Sequence, residues 1–336
     1  MVQLNILGRL GALWLALLLM PVSAQSGVGP GENLGSNPDV KNYLLAISRE
    51  HALDLEALEK LFADLSVQEE VIELISRPAE RTLTWEEYRA IFLTEKRIRA
   101  GLTFAAEHRD WLAKAEATYG VPARIITAII GVETFYGRIT GKHNALAALG
   151  TLAFGYPPRA DFFRRELTEF LLLAKEEGFD PREVTGSYAA AMGMPQFIAS
   201  SYRAYAVDFD QDGKRDLWQN PADIIGSVAN YFSRHGWRPG EAVAEQVATT
   251  DQRWKALVVE QLKPIRSLKT LKKNGLSPHH KTEGLMSVMQ FDVGGKAQAW
   301  IGHQNFYVIT RYNHSRLYAM AVYQLAEALQ AAGVDG

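Results

Sequence analysis

Val121-Pro122-Ala123-Arg124-Ile125-Ile126-Thr127-Ala128-Ile129-Ile130-Gly131-Val132-Glu133-Thr134-Phe135-Tyr136-Gly137 reads as one apolar helix with a carboxylate on its apolar face. Pro122 suits a first turn and Gly137 suits a stop, so the pattern predicts a helix over 121–136. Ile126, Ile129 and Ile130 precede Glu133 by seven, four and three residues, and side chains at those separations share a face. A carboxylate aimed with isoleucines loses hydration, which disfavours its charged form and raises its pKa. Such a group can hold its proton near neutral pH and act as a general acid. The bland alternative is a side chain that reaches past its neighbours to solvent or to a buried arginine, and the local pattern alone favours it.

Outward from this helix the chain is mostly helical. From Asp39 to about Tyr119, apolar residues recur at three- and four-residue spacing, as in Leu55-Leu58-Leu61-Phe62-Leu65. Further helices are expected over 145–154, 161–177 (closed by Gly178), 224–235 (closed by Gly236) and 313–332. The region 243–300 differs. It holds β-branched pairs, the alternating run Leu285 to Val293, and the turn signals Asn274-Gly275 and Gly294-Gly295, which predict a small antiparallel β unit among the helices.

Bulk properties bound the answer. The 336 residues are 47% hydrophobic and 22% charged, ordinary for a globular protein with ample core. A net charge of -2 supplies no global field for nucleic acid or anionic lipid. The absence of cysteine excludes disulfides, thiolate zinc sites, a Cys nucleophile and a lipid-modified N-terminal Cys. Arg9, the apolar run Leu10 to Met20 and Val22-Ser23-Ala24 read as a secretory signal peptide over 1–24, cleaved after Ala24. A soluble, exported, periplasmic protein without stable membrane insertion is expected. The Gly-, Ser-, Asn- and Pro-rich stretch after it reads as a flexible leader over 25–38.

Three further stretches could carry chemistry. Ser187 to Phe197 is rich in small residues, broken by Gly193 and Pro195, with Ser187 and Gln196 near its ends. Such a strip can pack helices tightly or line a groove for a flat polar ligand such as a sugar. Asp208-Phe209-Asp210-Gln211-Asp212-Gly213-Lys214-Arg215-Asp216 places carboxylates at positions 1, 3, 5 and 9 of an EF-hand-like frame over 208–219, with Gly at 6 and the Lys214 carbonyl at 7. Calcium held by Asp208, Asp210, Asp212, Lys214 and Asp216 is the expectation. Gln219 replaces the usual bidentate Glu, so the last ligand is Gln219, Asn220 or Asp223. Asn305 to Ser315, followed by Tyr318 and Tyr323, mixes aromatic rings with amides and hydroxyls, a combination that suits carbohydrate but is common in cores. Zinc-hydrolase, serine-hydrolase and phosphate-loop motifs are absent from the sequence, and no organic cofactor is expected.

Taken together, Gly131-Val132-Glu133-Thr134, Ser187 through Phe197, Leu217-Trp218, Ile225 through Tyr231 and Thr310-Arg311-Tyr312-Asn313 make the chain resemble the lytic murein transglycosylases of the membrane-bound B type, from about Asp39 to Ala332. The resemblance implies an α+β, predominantly α fold. Its parts would be a helical domain (39–118), a goose-lysozyme-like core (119–236), a small β domain (237–304) and a segment returning to the core (305–336). It implies cleavage of the MurNAc–GlcNAc bond of peptidoglycan with 1,6-anhydro ends, Glu133 being the single catalytic acid/base. Ser187 and Gln196 match polar groups near the cleaved sugar. Tyr88, Phe197, Tyr231, Tyr312, Asn313 and Tyr318 match groove or subsite residues, and Arg159 and Phe162 match glycan- or peptide-stem contacts. Two departures stand out: Pro158 replaces one of two expected consecutive arginines, and the calcium loop is one residue longer. Glycan strands are the implied partner, and other cell-wall enzymes are candidates. A hydrolytic muramidase and a non-catalytic scaffold are the alternatives. A muramidase would need a second acid, for which Asp161 and Glu166 are candidates.

Overall fold

A computed structural model describes residues 28–77, 83–249, 251–280 and 283–334, so the expected signal peptide lies outside the described residues. The chain forms two compact units. One comprises 28–77 and 139–204, the other 83–138 and 205–334. The span 119–236 is therefore shared between them, changing over at 138/139 and 204/205.

The elements begin with three helices of the first unit, α1 (Pro38–His51), α2 (Leu55–Phe62) and α3 (Glu69–Ser76). The second unit then contributes α4 (Trp85–Phe92), α5 (Glu95–Glu107), α6 (Arg109–Tyr119) and α7 (Ala123–Thr134). Polar caps start most of them: Asn37, Asp54, Thr84 and Thr94 each accept backbone N–H groups of the first turn. The first unit resumes with β1 (His143–Asn144), α8 (Ala145–Gly155), α9 (Ala160–Glu177) and β2 (Thr185–Gly186), β1 pairing antiparallel with β2. Helix α10 (Ala199–Tyr205) follows, then α11 (Pro221–Arg234) of the second unit. Gly178 ends α9 in the left-handed region, as its sequence position predicts.

The stretch expected as a flexible leader is tied down from Val28 onward. Val28 N donates to the Phe154 carbonyl, Leu34 N to that of Leu65, and Leu34 is fully buried. Composition overstated its freedom: one leucine and backbone pairing outweigh the glycines.

The β unit is a three-stranded antiparallel sheet in order β3-β5-β4, built from β3 (Ala244–Val247), β4 (Ser287–Val293) and β5 (Lys296–Gly302). Val293 pairs with Lys296 across Gly294-Gly295, both at positive φ, the backbone a two-residue hairpin requires. Asn274-Gly275 instead closes a short helix, α12 (Leu268–Lys273). The helix expected over 313–332 is α14 (Arg316–Ala331), capped by Ser315, and a further helix, α13 (Gln304–Tyr312), precedes it across a short break.

Helix α7 is the centre of its unit, with every residue from Ile125 to Val132 buried. It stops two residues earlier than expected. Phe135 and Tyr136 both take positive φ (52° and 59°) before Gly137. Tyr136 N donates back to the Ile130 carbonyl in a Schellman-like closure. A bulky residue in this region is strained, so tertiary packing must hold the turn. The Tyr136 ring lies against two helix glycines, Gly101 and Gly131, and a Cβ on Gly131 would come 2.5 Å from the Tyr136 hydroxyl oxygen. Gly131→Ala should therefore destabilise the fold by about 1–3 kcal/mol, measured as a lower urea midpoint. An unchanged midpoint would show that the ring is not wedged there.

Candidate active site

Glu133 occupies the last turn of α7 and is half-buried. Ile126, Ile129 and Ile130 are fully buried behind it, as the shared face predicts. Its immediate surroundings, however, are tyrosines. The Tyr318 hydroxyl, from α14, donates to Glu133 Oε1 at 2.5 Å. Burial, and after it the Glu133 charge, holds the Tyr318 and Tyr312 hydroxyls well above the usual tyrosine range. Both therefore stay protonated and can only act as neutral donors or acceptors near neutral pH.

The other residues expected beside Glu133 in this unit divide by role. Tyr88, fully buried on α4, packs its ring 5.1 Å from Phe92 and lies within electrostatic reach of Tyr318. The Tyr231 ring stacks on His235 at 4.0 Å and sits 4.8 Å from Tyr312, while its hydroxyl donates to the Arg311 carbonyl at 2.6 Å. Asn313, in the break between α13 and α14, is only 4% exposed, and its Oδ1 has no hydrogen-bond partner among the described residues. An unpaired buried amide oxygen is costly unless a ligand donor meets it.

Sequence reasoning missed the support behind this helix end. Arg97 is a buried cation whose guanidinium lies over the rings of Phe92 (5.0 Å) and Phe135 (4.8 Å), and its Nη1 donates to the Ile91 carbonyl. Burial pushes its pKa down to about 10. Arg138 lies 4.9 Å from the same Phe135 ring. Cation–π contact with Phe135 stabilises the strained turn that follows Glu133. In sequence, Arg97 is one charge among many on a helix, and nothing marks it as buried.

Ser187, Gln196, Phe197, Arg159 and Phe162 belong to the other unit. The small-residue strip there is a closed loop, not a helix. Met192 and Phe197 exchange backbone hydrogen bonds, and Ala190 and Gln196 adopt positive φ. Ser187 Oγ accepts from Ala191 N at 3.0 Å, which leaves the hydroxyl hydrogen free to be donated onward. Gln196 Nε2 donates to the carbonyls of Thr140 and Gly193. Ser187, Gln196 and Phe197 are all buried. The Arg159 guanidinium lies 4.1 Å from the Phe162 ring centroid and 5.1 Å from that of Phe163. The two second-acid candidates are engaged locally. Asp161 is exposed and lies 3.6 Å from Arg164, and buried Glu166 accepts from Ser200 N.

The acidic loop gathers four carboxylates, Asp208, Asp210, Asp212 and Asp223, whose ligand oxygens lie within 4.8 Å of one another. That span is about twice a calcium–oxygen bond. The fourth member, Asp223, is one of the three residues expected as the last ligand. Asp216 is not in the cluster; its Oδ1 accepts from Trp218 N and Gln219 N. Lys214 donates its N–H to Asp212 Oδ1. Asp223, fully buried in the first turn of α11, accepts from Phe209 N and Asp216 N. Asn220 caps α11 through Ala222 N, and its Nδ2 donates to Asp210 Oδ2.

The model of the transglycosylase SLT domain matches residues 36–327. The chain belongs to that family. It is 40% identical to membrane-bound lytic murein transglycosylase B of Escherichia coli (strain K12) over 316 residues, 91% of this chain and 86% of that protein. The lytic transglycosylase SltB1 of Pseudomonas aeruginosa is 48% identical and superposes with a TM-score of 0.85, covering 89% of this chain and 99% of SltB1. The E. coli lytic transglycosylase Slt35, solved in complex with calcium, is 39% identical with a TM-score of 0.83, covering 94% of this chain and 100% of Slt35. The protein is thus a peptidoglycan lytic transglycosylase, a lyase-type enzyme acting on cell-wall glycan strands. The hydrolase and scaffold alternatives are not favoured. The fold is the expected one, mostly helical with small antiparallel sheets. Among the described residues no helix is long and apolar enough to cross a membrane.

Proposed function

We propose that Glu133 performs both proton transfers of the transglycosylase reaction. As the acid it protonates the glycosidic oxygen, so the C1–O bond of the muramoyl residue breaks and the N-acetylglucosamine hydroxyl departs. As the carboxylate it then takes the proton from the C6 hydroxyl of the same muramoyl residue while that oxygen bonds to C1. A 1,6-anhydro ring forms, no water is consumed, and Glu133 regains its proton. Intramolecular attack carries a large entropic advantage over bulk water. The Tyr318 hydroxyl bond to Glu133 supports this reading: it orients one oxygen of a half-buried carboxylate. Asn313, with its unsatisfied amide oxygen, suits a substrate donor. Tyr88, Tyr231, Tyr312 and Tyr318 form aromatic surroundings, and Tyr231 contributes its ring because its hydroxyl is engaged. Ser187 can offer its hydrogen to the N-acetyl carbonyl, with Gln196, Phe197, Arg159 and Phe162 as further substrate contacts. Product mass tests the reading. Anhydro ends weigh one water less than reducing ends, and predominantly reducing ends would overturn it.

The loop carboxylates Asp208, Asp210, Asp212 and Asp223, with the Lys214 carbonyl, fit a calcium ion, as the calcium complex of the relative Slt35 also suggests. Bound calcium would neutralise the crowded carboxylates and stabilise the loop. Asp223 makes the claim testable by pH. Burial, which outweighs its two backbone hydrogen bonds, pushes its pKa from 3.8 up to about 6. The folded state then holds this proton more tightly than the unfolded chain. Raising the pH from about 4 to about 6 removes the proton at the expense of the fold, so metal-free stability should fall across that window by about 2 kcal/mol. Calcium needs the ionised ligand, so its stabilising effect should grow over the same window, reaching about 2.7 kcal/mol at a hundredfold excess over Kd. Thermal unfolding with calcium and with chelator checks this. Equal melting temperatures at neutral pH would remove calcium from the loop and leave the enzyme assignment intact.

Residues 1–24 support export to the periplasm, tested by whether the mature chain begins at Gln25. Other cell-wall enzymes remain candidate partners beside the glycan strand.

A further inference from the structure

Charge is unevenly spread in this chain. Its net charge is -2, yet the segment from Gln261 to Thr282 holds Lys263, Arg266, Lys269, Lys272, Lys273 and Lys281 and no carboxylate. Lys263, Lys269, Lys272 and Lys273 are exposed and make no ion pair among the described residues. Apolar exposure is equally concentrated. The large exposed apolar side chains among the described residues are Ile265 (37%), Leu268 (36%) and Leu285 (52%), and all belong to the β unit.

Backbone geometry brings the two features into one corner. Arg266 and Met286 form an antiparallel bridge, and Met286 points into the core at 0% exposure. Alternation along each strand places Ile265 and Leu285 on the opposite face. Leu268 starts α12 three residues after Ile265, and α12 buries Leu271 while exposing Lys269, Lys272 and Lys273. Scattered apolar residues on a surface need no explanation, but an exposed apolar group beside a run of unpaired lysines, with Glu260 and Glu283 at the ends of that run, does.

We propose that this corner of the β unit is a peripheral docking surface for an anionic phospholipid bilayer. The lysines meet lipid phosphates, and the three apolar side chains enter the headgroup–acyl boundary. A polar glycan strand would use the charge but give the aliphatic side chains nothing to enter. The chain has no cysteine that could carry a thioether lipid, so this surface is a route to the bilayer by adsorption without insertion.

Co-sedimentation of the mature protein with vesicles tests the proposal. It should bind vesicles of phosphatidylethanolamine with phosphatidylglycerol, bind phosphatidylcholine vesicles far less, and be released by high salt. Each lysine near such a surface is worth about a fivefold change in partition. Lys269→Glu/Lys272→Glu/Lys273→Glu should therefore lower binding by about a hundredfold or more. Leu285→Ser should lower it about tenfold. Lys41→Glu, on α1, should leave it unchanged, and turnover of soluble glycan fragments should persist in every variant as the check on folding. Equal binding to both vesicle types, no binding to either, or wild-type binding by the triple variant would overturn the proposal. So would full binding by Leu285→Ser, which would reduce the contact to plain charge adsorption.

Discussion

Glu133→Gln should leave the protein folded and cut the release of anhydro-muropeptides from purified sacculi by about a thousandfold or more. The side chain keeps its shape, and its amide oxygen can still accept the hydroxyl of Tyr318, so the end of α7 has no reason to move. What disappears is the proton. General acid–base catalysis contributes about a hundred- to ten-thousandfold per role. In the proposed reaction one carboxyl fills two roles, so breakage of the C1–O bond and closure of the ring both suffer. Circular dichroism and binding to sacculi separate this loss from misfolding. Turnover within tenfold of wild type would show that the reacting carboxyl lies elsewhere.

Tyr318→Phe should lower kcat by about ten- to a hundredfold while changing KM little. The substitution removes one oxygen from a side chain that is 1% exposed and keeps the ring that packs there. The lost bond runs to Glu133, and a hydrogen bond to a charged group contributes about 1.5–3 kcal/mol. Its removal frees the carboxyl to rotate, and poorly aimed proton transfer appears in kcat. The split between the constants is decisive because the family resemblance casts Tyr318 as a subsite residue. A raised KM with unchanged kcat would mean that the hydroxyl serves substrate rather than Glu133.

Much of this molecule is legible locally. Pro122, the isoleucine spacing and Gly137 predict α7 to within two residues at each end, because capping and amphipathic spacing act over one or two turns. Gly294-Gly295 predicts its hairpin for the same reason. The helix over 304–312 is not legible in a stretch that reads as a mixture of aromatic and polar residues, whereas the helix after it starts at a local cap, Ser315.

The amino-acid order alone thus determined the helical character, the β module, the family and Glu133 as the residue to watch. Folding decided who meets that residue: Tyr318 stands 185 positions away, and Arg97 becomes a buried support only once Phe92 and Phe135 close over it. It also brought Asp223 to the carboxylates of the acidic loop, while Asp216 accepts from the backbone donors beside it. Short-range hydrogen bonding is written into neighbouring residues. Contacts between distant residues arise only when apolar faces bury one another and carry their polar groups along.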